Sequence, residues 1–275
     1  MKDKGILYLC PTPIGNLEDI TLRTLNILKT VDLVAAEDTR HSLGLLNHFE
    51  IKKPLISYHE HNKKARGEEL LRKLLDGENI ALVTDAGMPG ISDPGEDLVK
   101  LCIENGVTVV PLPGANAALT ALIASGIDTS AFVFLGFLPV NKKERKTILE
   151  RVKNYPETLI FYEAPHKLKS TLADFEAFFG NRRLCLCREL TKKFEEFKLC
   201  AVSEALAFYK ETEPRGEYVL VVEGCKTVQS REDERSLEEI YNEYIKNGTD
   251  FKEAIKLAAK DKNISKREAY EILKK

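Results

Sequence analysis

The chain has 275 residues and a formal charge of −2, with 41 Lys+Arg nearly cancelling 43 Asp+Glu. At 43% hydrophobic it carries enough apolar side chain for more than one core, which excludes disorder as the main state. A general basic coat is excluded too, so any contact with nucleic acid has to come from a local patch.

In chain order, ILYLC (6–10) predicts a strand, and Thr21 leads into a helix with Leu22, Leu25 and Leu28 on one stripe. VDLVAAE (31–37) predicts a second strand, and Ser42 is expected to cap a short helix over LGLLNHF. PLISYH (54–59) is strand-like, and residues 62–76 set Leu70, Leu71, Leu74 and Leu75 on a helix face. IALVTD (80–85) predicts a buried strand. Asp93-Pro94 then gives an N-cap with proline at the first helical position. That helix runs over Leu98, Leu101 and Cys102 to Gly106, before the strand VTVV (107–110). Such alternation implies a mostly parallel sheet.

PLPGAN (111–116) breaks the pattern as a hinge. Beyond it come a helix near 116–125, FVFLGF (132–137), a charged helix at 142–154, TLIFY (158–162) and a helix at 167–179. RLCLCR (183–188), FEEFKLC (194–200) and EYVLVVEG (217–224) follow with less helix between them, which predicts a more antiparallel second sheet. In the tail, Ser236, Asp250 and Ser265 are each followed three residues later by Glu, the capping-box spacing of three short helices. The expected fold class is α/β: two tandem α/β domains at 1–112 and 113–225, and a small helical extension at 226–275.

No run approaches the ~18 apolar residues of a membrane span, and the start, MKDKGILYLC, is too short in apolar residues for a secretory leader. The six Cys (10, 102, 185, 187, 200, 225) show no CxxC or Cys/His ligand spacing. Reduced buried thiols, no metal and a cytoplasmic location are therefore expected.

In open α/β sheets ligands bind beyond the carboxyl ends of the strands. Four turns at such ends are rich in Gly, Pro and small polar residues: PTPIGN (11–16), EDTR (37–40), TDAGMPGISDPG (84–95) and PLPGAN. None is a P-loop or a standard dinucleotide fingerprint. Their glycines let backbone approach a ligand without wrapping phosphates, which suits an adenosyl cofactor that lacks a pyrophosphate. His59-Glu60-His61 has no third distant ligand and reads as an exposed loop. FYEAPHK (161–167) offers Glu163 and His166, and CRELTKKFEE (187–196) offers Arg188, Glu189, Thr191 and Lys192; each is either a functional loop or a plain strand end. NKKERKTILERVK (141–153), with six basic and two acidic residues, is either a solvated helix face or a phosphate-contacting edge.

TPIGNLEDITLRTL (12–25), AAEDTRHSLGLL (35–46), LVTDAGMPGISDPG (82–95), PGANAALTAL (113–122), FYEAPHKL (161–168) and RELTKKFEE (188–196) together resemble the ribosomal-RNA-modifying branch of the tetrapyrrole-methylase-like superfamily. The likeness covers residues 6–224 in order, and its DAGMPGISDPG block is highly specific. It implies S-adenosylmethionine in a cleft between the two α/β domains, a homodimer, and methylation of the ribose 2′-hydroxyl of a cytidine in the decoding region of 16S rRNA, within the 30S subunit. The residues matching the superfamily's cofactor contacts are Pro11, Asp85, Ala86, Gly87, Gly90, Asn116, Ala117, Tyr162, Glu163 and Leu190. The first turn ends in Asn16 where porphyrinoid methylases carry an acidic residue, which favours the RNA-modifying branch. Asp38, Arg40, Glu189 and Lys192 are the candidates for proton removal or stabilisation of a developing alkoxide. A tetrapyrrole methylase on the same fold remains open, as does a nucleic-acid-binding regulator acting through the tail. The tail's near-neutral balance, 12 Lys+Arg against 11 Asp+Glu, argues against the regulator.

Overall fold

The computed structural model describes residues 3–93, 95–226, 235–262 and 264–274. Short aliphatic runs form five strands in the first half: β1 (Ile6–Leu9), β2 (Leu33–Ala36), β3 (Leu55–Ser57), β4 (Ile80–Val83) and β5 (Thr108–Pro111). All pair in parallel in the order β3-β2-β4-β1-β5. β2 and β4 are buried on both faces, as the continuous apolar runs LVAA and IALV require. Leu70 and Leu74 of α3 (Lys63–Leu75), with Leu98 and Cys102 of α4 (Gly95–Glu104), fill one core. Leu28 of α1 (Leu22–Thr30) and Leu46 of α2 (Thr39–His48) join a separate one.

Two local expectations are corrected here. Leu22 is 80% exposed, because steps of three residues drift around a helix of 3.6 per turn, by about 120° over two steps, so only Leu25 and Leu28 meet the core. Ser42 does not cap a helix; it is buried inside α2, and the N-cap is Asp38, whose carboxylate accepts the Arg40 N–H at 2.8 Å. At the start of α4, Asp93 accepts the Gly95 N–H at 2.8 Å, while the expected Pro94 lies outside the described residues.

The second half holds β6 (Phe132–Phe137), β7 (Thr158–Glu163), β8 (Arg183–Arg188), β9 (Glu196–Ala201) and β10 (Tyr218–Val222), in the order β6-β7-β10-β8-β9. β6 and β7 are parallel, with a bulge between Phe134 and Gly136, and the other pairs are antiparallel. Ala118, Ala121 and Leu122 of α5 (Ala117–Ala124) pack with Ile160, Cys185, Cys187, Val219 and Val221. Phe161 of β7 stacks with Phe175 and Phe179 of α7 (Pro165–Phe179) at ring separations of 4.9 and 6.4 Å. α6 (Lys142–Val152) connects β6 to β7. α8 (Val202–Glu211) was not expected, because its N-cap is Ala201 and carries no capping oxygen; Glu204 instead reaches back to the Ala201 N–H at 2.8 Å. None of the six cysteines is in a disulfide, four of them are buried, and burial pushes Cys10 up to about 12.

The chain divides into two compact units, Met1–Glu150 with Glu157–Glu223, and Arg151–Pro156 with Gly224–Lys275. Both sheets belong to the first. In the second, Ser236 and Ser265 make the expected capping boxes for α9 (Leu237–Lys246) and α11 (Lys266–Leu273), and Asp250 caps α10 (Phe251–Asp261). Leu237, Ile240, Ile255, Ala258, Ala259 and Ala269 form a small core among them. Among the described residues no helix is long and apolar enough to cross a membrane.

Candidate active site

Parallel pairing brings the carboxyl ends of β1, β4 and β5 to one edge, and the turns that leave them are joined there. The Thr12 N–H donates to the Gly87 carbonyl at 2.9 Å and the Gly87 N–H returns to the Thr12 carbonyl at 3.0 Å. The buried Thr12 hydroxyl donates to the Thr84 carbonyl at 3.0 Å. Gly114 lies so close to the Pro11 ring that a Cβ there would stand 2.4 Å from the proline Cβ. The turns at 11–16, 84–95 and 113–117 therefore meet. The first also reaches the second half: a Cβ on Gly15 would stand 2.5 Å from Lys192 Cγ and 2.8 Å from the Leu190 carbonyl oxygen.

Between these turns and the second sheet opens a cavity of about 470 Å³, within the ~300–1,000 Å³ of small-molecule sites. Of the residues singled out from the sequence, Asp85, Ala86, Gly87, Asn116, Ala117, Tyr162, Glu163, Leu190 and Lys192 line it. Pro11 is buried behind the lining and serves as the surface on which Gly114 packs. Gly90 also stands outside the lining, its N–H held by the Asp93 carboxylate at 2.8 Å. Asp38, Arg40 and Glu189 are not lining residues either. Asp38 and Arg40 pair at 2.8 Å, with Arg40 90% exposed, and the Asp38 N–H donates to Asp85 Oδ1 at 3.1 Å. The Arg40 side chain holds the Asp38 carboxyl well below the usual carboxylate range.

Lys192 is the cation of the lining. Its Nζ donates to Glu217 Oε2 at 2.9 Å and to Glu189 Oε1 at 3.0 Å. Glu189 Oε1 also accepts the Glu217 N–H at 3.0 Å. Burial works to lower the Lys192 pKa, but the hydrogen bonds from Glu217 and Glu189 outweigh it and the net shift is upward. Glu189 is shifted down, first by the Glu217 N–H and then by Lys192. The turn that carries this cluster is strained, with Glu189 at φ 51° and Thr191 at φ 63°, both left-handed and neither glycine. Thr191 keeps its buried hydroxyl without a hydrogen-bond partner.

Glu163 is buried and spends its carboxylate on the fold: it accepts from Thr171 Oγ1 at 2.5 Å and from the Ala164 N–H at 2.8 Å. Burial raises the Tyr162 phenol. Several lining residues escaped the sequence reading. Glu37, whose Oε2 accepts from Thr84 Oγ1 at 2.9 Å, stands one residue before the Asp38 chosen from EDTR. Phe137 reads in sequence as a core aromatic at a strand end. Glu217 and Tyr218 come from the amino end of β10, which the antiparallel register sets beside Glu163 and Arg188. Among the described residues no group of three or more His, Cys, Asp or Glu side chains is placed to hold a metal ion.

A glycine-tied cleft at the carboxyl edge of a parallel sheet, closed by a second mixed sheet, is the architecture of a methylase class. The chain belongs to the family of Tetrapyrrole (Corrin/Porphyrin) Methylases, whose model matches residues 6–206. Among solved structures it is similar to the uroporphyrin-III C-methyltransferase of Thermus thermophilus complexed with S-adenyl homocysteine, with a TM-score of 0.58, 18% identity and coverage of 80% of this chain and 97% of that one. Within the family it groups with the ribosomal RNA small subunit methyltransferases I. It is 53% identical to the one from Bacillus subtilis (strain 168), over 98% of this chain and 94% of that protein. It is 46% identical to the one from Synechocystis sp., over 98% and 97%.

Proposed function

We propose that this chain is an S-adenosylmethionine-dependent methyltransferase acting on 16S ribosomal RNA of the small subunit, at the ribose 2′-hydroxyl of a cytidine in the decoding region. The relatives' names supply the RNA, and the observation that carries the chemistry is the cavity beside the turns that the Thr12–Gly87 bridge joins. Its lining fits the cofactor: Ala117, Tyr162, Leu190 and Val219 offer an apolar wall for an adenine, and Glu37 and Asp85 offer negative charge to a sulfonium and an ammonium. The 1–112 and 113–225 halves then act as the two walls of one site.

The bound cofactor supplies an electrophilic methyl group on a sulfonium. The chain's part is to hold a ribose oxygen in line with it, an effect worth up to ~7–11 kcal/mol in well-oriented systems. Lys192, kept protonated by Glu189 and Glu217, serves as a fixed positive charge for the developing alkoxide rather than as a base. Glu189 acts through Lys192, and the Asp38–Arg40 pair acts through Asp85. The reading places the protein in the cytoplasm with the ribosome. It works as a homodimer, supported by the bare outer face of α5, where Leu119 and Ile123 are exposed one turn apart; a monomer in sedimentation at micromolar concentration overturns that part.

The deciding experiment incubates the protein with labelled S-adenosylmethionine and 30S subunits from a strain lacking the modification, then maps the label. A single labelled ribose in 16S rRNA is expected. Unlabelled subunits, or transfer to a porphyrinoid instead, sink the reading.

A further inference from the structure

Phe137 ends β6 at the mouth of the cavity. It is 56% exposed, an unusual state for a phenylalanine that also lines a pocket. It forms a T-shaped pair with Tyr162 at a ring separation of 5.4 Å and an interplanar angle of 62°. Tyr162 is supported in turn by Phe134 at 4.9 Å. The ring is thus braced from inside the cleft and bare toward solvent.

Five residues later α6 begins, and the chain between them turns tightly: Asn141 Oδ1 accepts the Lys143 N–H at 2.9 Å and Arg145 Nη1 reaches the Val140 carbonyl at 3.5 Å. Five residues span at most ~18 Å even when extended, so the lysines of the first turn lie within a few nucleotides' reach of the ring. The basic run of α6 is sorted by structure. Arg145 is turned inward, its Nε donating to Asp174 Oδ2 at 2.6 Å, so the phosphate contact that residue offers in sequence is withdrawn. Lys142, Lys143 and Lys146 are exposed and enter no ion pair among the described residues. Lys146 is four residues from Lys142 and three from Lys143, which sets all three on one flank of the helix.

We infer that Phe137 and the Lys142–Lys143–Lys146 flank form one docking edge for single-stranded RNA, on which a base at the cavity mouth stacks against the Phe137 ring and neighbouring phosphates lie along the lysines. The inference rests on the RNA reading above and specifies where that RNA is gripped. An aromatic face followed by unpaired cations is the pairing that single-stranded nucleic acid uses, since every base has a π-face and every nucleotide a phosphate. The exposure of the ring separates this role from an adenine wall inside the cleft, which Ala117, Leu190 and Val219 already provide.

The test compares the wild type with F137L, F137Y and K142Q/K143Q. It measures the KM for unmodified 30S subunits, the salt dependence of that KM, and the Kd of S-adenosylhomocysteine by calorimetry. F137L is expected to raise the subunit KM about tenfold while leaving the S-adenosylhomocysteine Kd within about twofold, and F137Y to keep the KM near the wild-type value. K142Q/K143Q is expected to flatten the log–log salt slope by about 1.4. F137L that weakens product binding with the subunit KM unchanged assigns the ring to the adenine and overturns the inference, as does an unchanged salt slope. A wild-type protein that leaves the subunits unlabelled overturns the RNA reading, and this one with it; F137L with wild-type KM overturns this one alone.

Discussion

On the first-sheet side Thr12, Gly87 and Gly114 bring three turns into contact through main-chain hydrogen bonds and close approach, and Glu37 and Asp85 add carboxylates to the cavity lining. On the second-sheet side the cavity is bounded by side chains, with Lys192 between Glu189 and Glu217 and Tyr162 between Phe134 and Phe137. A parallel sheet sends every strand's carboxyl end to one edge, so its turns can build shape together. A mixed sheet brings strand ends of both polarities to the cleft and places charge and rings there. The first sheet's turns shape the cavity, and the second sheet adds rings and the Lys192 cluster to its lining.

That contrast is open to attack from either side. Lys192→Met removes the charge and keeps the stem, so methyl transfer to 30S subunits should fall ~10²–10³-fold, while calorimetric binding of S-adenosylhomocysteine stays near wild type. If binding falls in step with turnover, the second wall also sets fit. Gly114→Ala drives a Cβ into the rigid Pro11 ring, and overpacking of this kind costs ~1–3 kcal/mol; a lower melting temperature and weaker product binding are expected together. Glu189→Gln should act mildly and on one limb only. A carboxyl held below its ordinary pKa adds stability above its unfolded value, lost as pH falls through the folded one. Lys192 behaves oppositely, losing its contribution as pH rises past its raised value. Thermal melts of Glu189→Gln should therefore show a shallower loss below about pH 4 than the wild type; an identical acid limb means that the carboxylate clamp contributes little.

The parallel half was the more legible in sequence. Its apolar runs, the Thr21 cap and the glycine-rich turns after β1, β4 and β5 each carry a local signal, and the rule that ligands sit at carboxyl ends points to the edge where the cavity opens. The same rule misses Glu217, because β10 enters the cleft by its amino end and only the register with β7 and β8 reveals that. The start of α8 carries no side-chain cap to signal it, and the three-residue spacing of Leu22 slips off the buried face. EDTR carries two adjacent carboxylates, Glu37 and Asp38, and no motif rule separates their roles. Which of two adjacent carboxylates faces the cleft depends on where the strand ends and the helix cap begins, one peptide apart.

The left-handed backbone at Glu189 and Thr191 has a practical implication for anyone improving this protein. Glycine at 191 relieves the torsional penalty, and a selection run on heat resistance alone would favour it. On the role proposed for Lys192, the same change loosens the hairpin that aims its ammonium group, so the hardier variant would be the poorer catalyst. Endurance and turnover pull that one position in opposite directions.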